Sequence, residues 1–228
     1  MDNTRLRALQ DRFGDPLLTV LTIMLAIYLF VIGPMQAAGN DSVHLFAIAF
    51  GVVMIAAVFV MSGSVVAVGA IVAALVLVMT ATVRRLYGAT LTDVYLEATA
   101  WLIMGVTLAW VTARAVFGSG KITFHRVIGA VLLYLTIGLI FMALYGFVSL
   151  QERDAFTGLA PMQDDLSVAG NLIYFSFVTL TSVGYGDIVP LHPYARGLAN
   201  VEAIIGQLYP ATLLARLVTL ELEGRIRS

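Results

Sequence analysis

Six apolar runs, each near the length that a bilayer demands of a helix, dominate the sequence: Pro16 to Ile32, Val43 to Met61, Val65 to Val83, Val94 to Phe117, Val127 to Leu150 and Ala195 to Leu220. About 20 apolar helical residues cross the roughly 30 Å hydrocarbon core. Inside lipid every backbone polar group needs a partner within the protein, so runs of this length select helices. Composition agrees: 60% of the 228 residues are hydrophobic, 12% are charged and the mean hydropathy is +0.95. These values exclude a disordered chain and an ordinary soluble domain.

Thirteen basic residues against fourteen acidic ones leave a net charge of -1. Nucleic acid, which binds a cationic excess, is therefore not an expected partner. Without cysteine the chain has no disulfide framework, thiolate nucleophile or thiolate metal site. Pro16 to Ile32 runs into Gly33-Pro34 rather than a small-residue cleavage site, and it reads as a retained first span.

The links Gly33 to Ser42, Ser62 to Ser64, Arg84 to Asp93 and Gly118 to Arg126 are too short for a soluble domain. The exception is the excursion from Gln151 to Pro193, which holds a polar loop and a seventh apolar stretch, Val168 to Thr181, of only 14 residues. That length predicts a re-entrant segment, and the excursion is where function is expected. With the N-terminus inside, the inner side carries Arg5, Arg7, Arg12, Arg114, Lys121, Arg126, Arg216, Arg225 and Arg227, and the outer side Arg84, Arg85, Arg153 and Arg196. Nine against four places both termini in the cytoplasm. Arg84-Arg85 dissents, with Asp93 and Glu97 near enough in sequence to compensate it.

Within the excursion stands Thr179-Leu180-Thr181-Ser182-Val183-Gly184-Tyr185-Gly186-Asp187. This segment resembles the selectivity filter of potassium channels of the tetrameric pore-loop cation channel superfamily. Dehydrating a cation requires rings of oxygens in place of its water, and glycines allow the backbone angles that aim successive carbonyls inward. The resemblance implies K+ sites built by Ser182, Val183, Gly184, Tyr185 and Gly186, with the Ser182 hydroxyl in the innermost ring and four copies closing each ring. The family more often has threonine at the Ser182 place; serine keeps the hydroxyl but loses the methyl that restrains its rotamer.

By the same resemblance 168–181 is a pore helix, with Asp164, Asp165 and Ser167 either suited to its N-terminus or part of a solvated acidic loop. Thr181, Tyr174 and Asp187 support the filter, Tyr174 by a hydrogen bond to Asp187 or by packing alone. Val178 falls where some relatives carry glutamate, and Glu202 is the candidate substitute; its alternatives are packing against Arg196, Asn200 or a neighbouring subunit. Gly206, twenty residues after Gly186, stands at the usual place of the hinge glycine, and Pro210 adds a bend or a fixed kink. Ala211, Leu214, Ala215 and Val218 are candidates to line the cavity or a dewetting gate.

The expected fold is an all-α membrane protein: six transmembrane helices plus a re-entrant pore helix and filter loop per subunit, as a homotetramer. Its parts are a cytoplasmic N-terminus (1–15), a peripheral four-helix domain (16–117), a linker (118–126), a pore domain (127–220) and a short tail (221–228). The pore domain divides into outer helix 127–150, turret 151–167, pore helix 168–181, filter 182–187 and inner helix 195–220. Small residues along Gly51 to Ala74 predict close packing in the peripheral part. A voltage sensor needs arginines at every third position of the fourth span, because each charge moved across 100 mV contributes about 2.3 kcal/mol. Asp93 to Phe117 contains only Arg114, so weak voltage dependence is expected.

His44, His125 and His192 lack partners at metal spacing, and Trp101, Trp110 and the tyrosines read as packing or interface residues. Asp154, Asp164, Asp165 and Asp187 make the outer mouth acidic. The reading is thus a passive potassium channel in a plasma or inner membrane, not an enzyme, with no cofactor beyond K+ in the filter and with lipid and three identical subunits as partners. The eight residues after Leu220 imply that any regulator is small or supplied separately. A nonconducting or regulatory subunit and a potassium transporter, whose filter loops recur within one chain, are the alternatives.

Overall fold

The computed structural model describes residues 3–37, 44–85, 87–88, 90–118, 123–159 and 168–227, side chains included except those of 3–13, 36–37, 44–48 and 217–227. Its order is α1 (Asn3–Ile27), a π-helical turn (Tyr28–Ile32), α2 (Gly33–Ala37), α3 (His44–Ser62), α4 (Val65–Arg85), α5 (Leu91–Phe117), α6 (Phe124–Gln151), β1 (Phe156–Thr157), α7 (Val168–Leu180), β2 (Val189–Pro190) and α8 (Pro193–Arg227). Among the described residues four stretches are long and apolar enough to cross a membrane: Gly14–Met35, Val65–Arg85, Leu91–Phe117 and Phe124–Gln151. Ala49–Ser62, the part of α3 with described side chains, is an apolar stretch of 14 residues, and Val168–Leu180 is a short apolar helix.

Helix starts follow local chemistry. Free amides at a helix N-terminus need an acceptor, and at α6 the Thr123 hydroxyl accepts from the Arg126 N–H at 3.3 Å. At α5 the Thr90 N–H and hydroxyl both donate to Asp93 Oδ2, at 2.8 and 2.7 Å. The other oxygen of this fully buried carboxylate accepts from Arg84 Nε at 2.7 Å. Arg85 pairs with Glu97. Both members of the dissenting arginine pair are thus matched by two acids of the following helix, which offsets their charge by charge-assisted hydrogen bonds.

Helix α6 is the centre of the molecule. It packs against α1, α5, α7 and α8, and 61% of its apolar window is buried against 17% in α4. Leu132, Leu135, Leu139 and Met142 of α6 share one core with Leu18, Leu21 and Leu25 of α1 and with Met104, Leu108 and Val111 of α5. Thr22 adds a hydrogen bond across the α1–α6 seam, donating to the Ile128 carbonyl at 3.2 Å as well as to its own Leu18 carbonyl at 2.7 Å. Helices α1 and α5 therefore rest directly on α6, the helix that precedes the segment with the filter-like motif.

Aromatic contacts fix the end of α1 that leads into α2. In the π turn the Gly33 N–H donates to the Tyr28 carbonyl, which widens the helix where Tyr28 stacks on Phe50 at 5.5 Å and leans on Trp101 at 5.5 Å. Phe30, on the same turn, meets Phe177 of α7 edge-on at 5.2 Å.

Candidate functional site: a carbonyl ribbon on the end of α7

The site begins where α7 stops. Its last carbonyls lack helical partners, and the residues that follow supply them: Thr181 N–H donates to the Phe177 carbonyl at 3.0 Å, Ser182 N–H to Thr179 at 2.9 Å and Val183 N–H to Val178 at 2.9 Å. Gly184 N–H also turns to the Val178 carbonyl at 3.4 Å. The amides of Ser182, Val183 and Gly184 are thus committed to the helix behind them.

Ser182, Gly184 and Gly186 have φ of 58°, 59° and 79°, while Val183 and Tyr185 are not in the positive-φ region. Alternating signs of φ turn successive peptide planes the same way, gathering N–H groups on one face and carbonyls on the other. Since the N–H face is towards α7, the carbonyl face is the open one. Positive φ costs an L-residue roughly 1–2 kcal/mol and nothing comparable for glycine. At position 182 serine bears this more easily than a β-branched residue, for which the region is a true outlier.

The outer end is tied at several points. Tyr174 of α7 donates its hydroxyl to Asp187 Oδ2 at 2.8 Å, and its ring stacks on Tyr185 at 6.3 Å with 2° between planes. Beyond Asp187, β2 pairs antiparallel with β1, Val189 opposite Thr157 and Pro190 opposite Phe156. The Leu191 N–H extends the link to the Ala155 carbonyl at 2.8 Å. Gly158 sits so close to the Asp187 carbonyl that a Cβ would run into it. This strand pair joins the polar loop to the segment after the ribbon, and no sequence signal foretold it; two-residue strands are too short for an alternating pattern.

Glu202 of α8 is fully buried. Its carboxylate oxygens accept from Tyr145 of α6 at 2.6 Å and Ser176 of α7 at 2.5 Å. The Ser176 hydroxyl also reaches the Gly138 carbonyl of α6 at 2.8 Å. One carboxylate therefore links the outer helix, the helix behind the ribbon and α8. Of its alternative partners, Arg196 points elsewhere, its Nε donating to the Pro190 carbonyl at 3.0 Å. Tyr145 and Ser176 were missed by sequence reasoning, since they stand 57 and 26 residues from Glu202.

Gly206 lies against the last turn of α7, and a Cβ there would collide with the Leu180 carbonyl. The Tyr134 hydroxyl donates to the same carbonyl at 3.2 Å, and Tyr209 stacks on Tyr134 at 5.8 Å while donating to the Ala130 carbonyl at 2.8 Å. Helix α8 continues through Pro210. Because proline has no N–H, the Gly206 carbonyl four residues earlier loses its helical donor. Ala211, Leu214 and Ala215 are exposed on α8. The side chain of Val218 lies outside the described residues, as do Asp164, Asp165 and Ser167. Thr181 donates its hydroxyl back to the Phe177 carbonyl at 2.6 Å. A further contact at the inner end of the ribbon was not foreseen: Gln207 Nε2 donates to Ser182 Oγ at 2.8 Å.

Residues 130–222 match a protein-family model described as Ion channel. The protein LctB of Bacillus caldotenax is 36% identical over 87 residues, 37% of this chain and 64% of that protein. LctB of Geobacillus stearothermophilus is 42% identical over 53 residues, 23% of this chain and 39% of that protein. Two-pore potassium channel 5 of Arabidopsis thaliana is 31% identical over 105 residues, 45% of this chain and 22% of that protein. The chain thus spans less than two thirds of the length of each of these relatives. No solved structure matches it. Residues 130–222 take in most of α6, α7, the ribbon and most of α8, so it is over this segment that the chain is similar to ion channels.

Proposed function

We propose that the chain is one subunit of a homotetrameric, potassium-selective channel, and that Ser182, Val183, Gly184, Tyr185 and Gly186 line its filter with carbonyl oxygens. The observations that carry this reading are the amides of Ser182, Val183 and Gly184 bonded to α7 and the alternating sign of φ from Ser182 to Gly186, a pattern that turns successive carbonyls towards one face. One ribbon supplies one wall; four around an axis close the rings that replace a cation's water. The exposed apolar residues Val183, Tyr185, Ile204 and Leu208 are the surfaces such an assembly covers.

In this reading ions pass in file between carbonyl sites with no chemical step and no cofactor. The protein crosses the membrane six times with both termini in the cytoplasm, α3 and α8 joining the four clear spans. Asp154 and Asp187 draw cations to the outer mouth. Glu202 holds the support of the filter in place, and Tyr174 with Asp187 steadies its exit. The break at Gly206 and Pro210 is the hinge about which the inner part of α8 moves, with Ala211, Leu214, Ala215 and Val218 below it forming the cavity wall or gate. The charge-poor fourth span makes opening only weakly voltage-dependent.

The test is potassium-gradient-driven flux in liposomes holding the purified protein, with sodium comparison, barium block and a Gly184→Ala control. Potassium-selective, barium-sensitive flux absent from the control is the expected result. No flux from a folded tetramer, together with no potassium binding by calorimetry, would overturn it.

A further inference from the structure

The innermost ring carries a device on α8. In the channel reading Ser182 adds its hydroxyl oxygen to the innermost carbonyl ring, and a serine side chain has no second branch on Cβ to hold that oxygen in one rotamer. The structure places a donor there: Gln207 Nε2 lies 2.8 Å from Ser182 Oγ. Gln207 is exposed on a face of α8 whose neighbours Ile204, Leu208, Ala211 and Leu214 are apolar and exposed too. The polar atom that this glutamine meets is the Ser182 hydroxyl at the start of the ribbon. Its backbone is held in register by the residue before it, since Gly206 rests on the Leu180 carbonyl two residues ahead of Ser182.

We propose that Gln207 is a positioning residue for the innermost cation site: its amide fixes the Ser182 hydroxyl so that an oxygen lone pair faces the ion, replacing by a hydrogen bond the restraint that a β-branched side chain provides by shape. The proposal rests on the channel reading. The Ser182 oxygen has two lone pairs; one accepts from Gln207 and the other is left for a dehydrated cation. The ligand is a monovalent or divalent cation of about the size of K+, of which barium is the convenient probe. Because the donor sits on α8 within the Gly206 to Pro210 break, movement of that helix also alters the innermost site, and occupancy there is coupled to the hinge.

The test is calorimetric titration of the purified tetramer with K+ and with barium, run on the wild type, Gln207→Met, Ser182→Ala and the double variant. Gln207→Met keeps length and helix propensity while removing the donor. It is expected to weaken barium binding at least three- to tenfold, about the effect of one hydrogen bond, since each of the four subunits loses its donor. Ser182→Ala should weaken it at least as much, and the double variant no more than Ser182→Ala alone, since both remove one interaction. Barium affinity unchanged in Gln207→Met, or losses that add in the double variant, would overturn the proposal while wild-type K+ binding leaves the channel reading intact. A wild type that binds neither ion would take down both. Should Gln207→Met fail to assemble, Gln207→Leu is titrated in its place with the same outcomes.

Discussion

The ribbon and the seam behind it use glycine for opposite reasons. Gly184 and Gly186 face open space, with no heavy atom within 4 Å of where a Cβ would stand, yet their φ values are 59° and 79°. Gly206 is the reverse: its backbone is helical, and a Cβ would strike the Leu180 carbonyl. One region is constrained by the conformation of its own chain, the other by the volume left between two elements. Substitutions in the seam should therefore cost assembly and stability, whereas those in the ribbon should cost conduction and leave the fold standing.

The largest expected effect is Gly206→Ala, because a rigid backbone carbonyl cannot yield as a side chain can. Overpacking of this kind costs about 3 kcal/mol, to be read as a lower thermal midpoint and loss of tetramer on size exclusion. A stable, conducting Gly206→Ala would break the comparison. Next is Glu202→Ala, which strips the acceptor from buried Tyr145 and Ser176 and costs about 2–3 kcal/mol. Glu202→Gln, which keeps the shape, should cost less than half of that but alter inactivation or the pH dependence of current; an unchanged pH profile and time course would remove Glu202 from filter support.

In the ribbon, Gly184→Ala imposes about 1–2 kcal/mol of backbone strain and should abolish selective flux with little change in thermal midpoint. A large drop in midpoint would show that the ribbon is structural after all. The smallest effect is Tyr174→Phe, which removes the bond to Asp187 and about 1 kcal/mol. It should change how long the filter stays conductive, measured as the decay of single-channel bursts, without altering the K+ to Na+ ratio.

Legibility followed distance along the chain. The spans at 16–32, 65–83, 94–117 and 127–150 correspond closely to α1 with its π turn, α4, α5 and α6, because a run of apolar side chains is a local property. The capacity of Asp93 and Glu97 to match Arg84 and Arg85 was also readable, since the pairs are separated by 9 and 12 residues across one turn. The β1–β2 pairing beyond Asp187 was not readable, because its strands have two residues each and flank the whole of α7 and the ribbon. Nor was the role of Gly158, whose closeness to Asp187 depends on that pairing.

What the sequence determined by itself is a membrane-spanning helical chain with a filter-like ribbon. Apolar length decides the first through the cost of burying free backbone groups in lipid, and glycine spacing decides the second through the φ values it permits. The tertiary structure alone decided what stands behind the ribbon: Tyr145, Ser176 and Glu202 in one network, Gly206 against Leu180, and Gln207 on Ser182. Each of these joins residues on different elements, and hydrogen bonds and close contacts extend only a few ångströms, so they exist only once α6, α7 and α8 have packed.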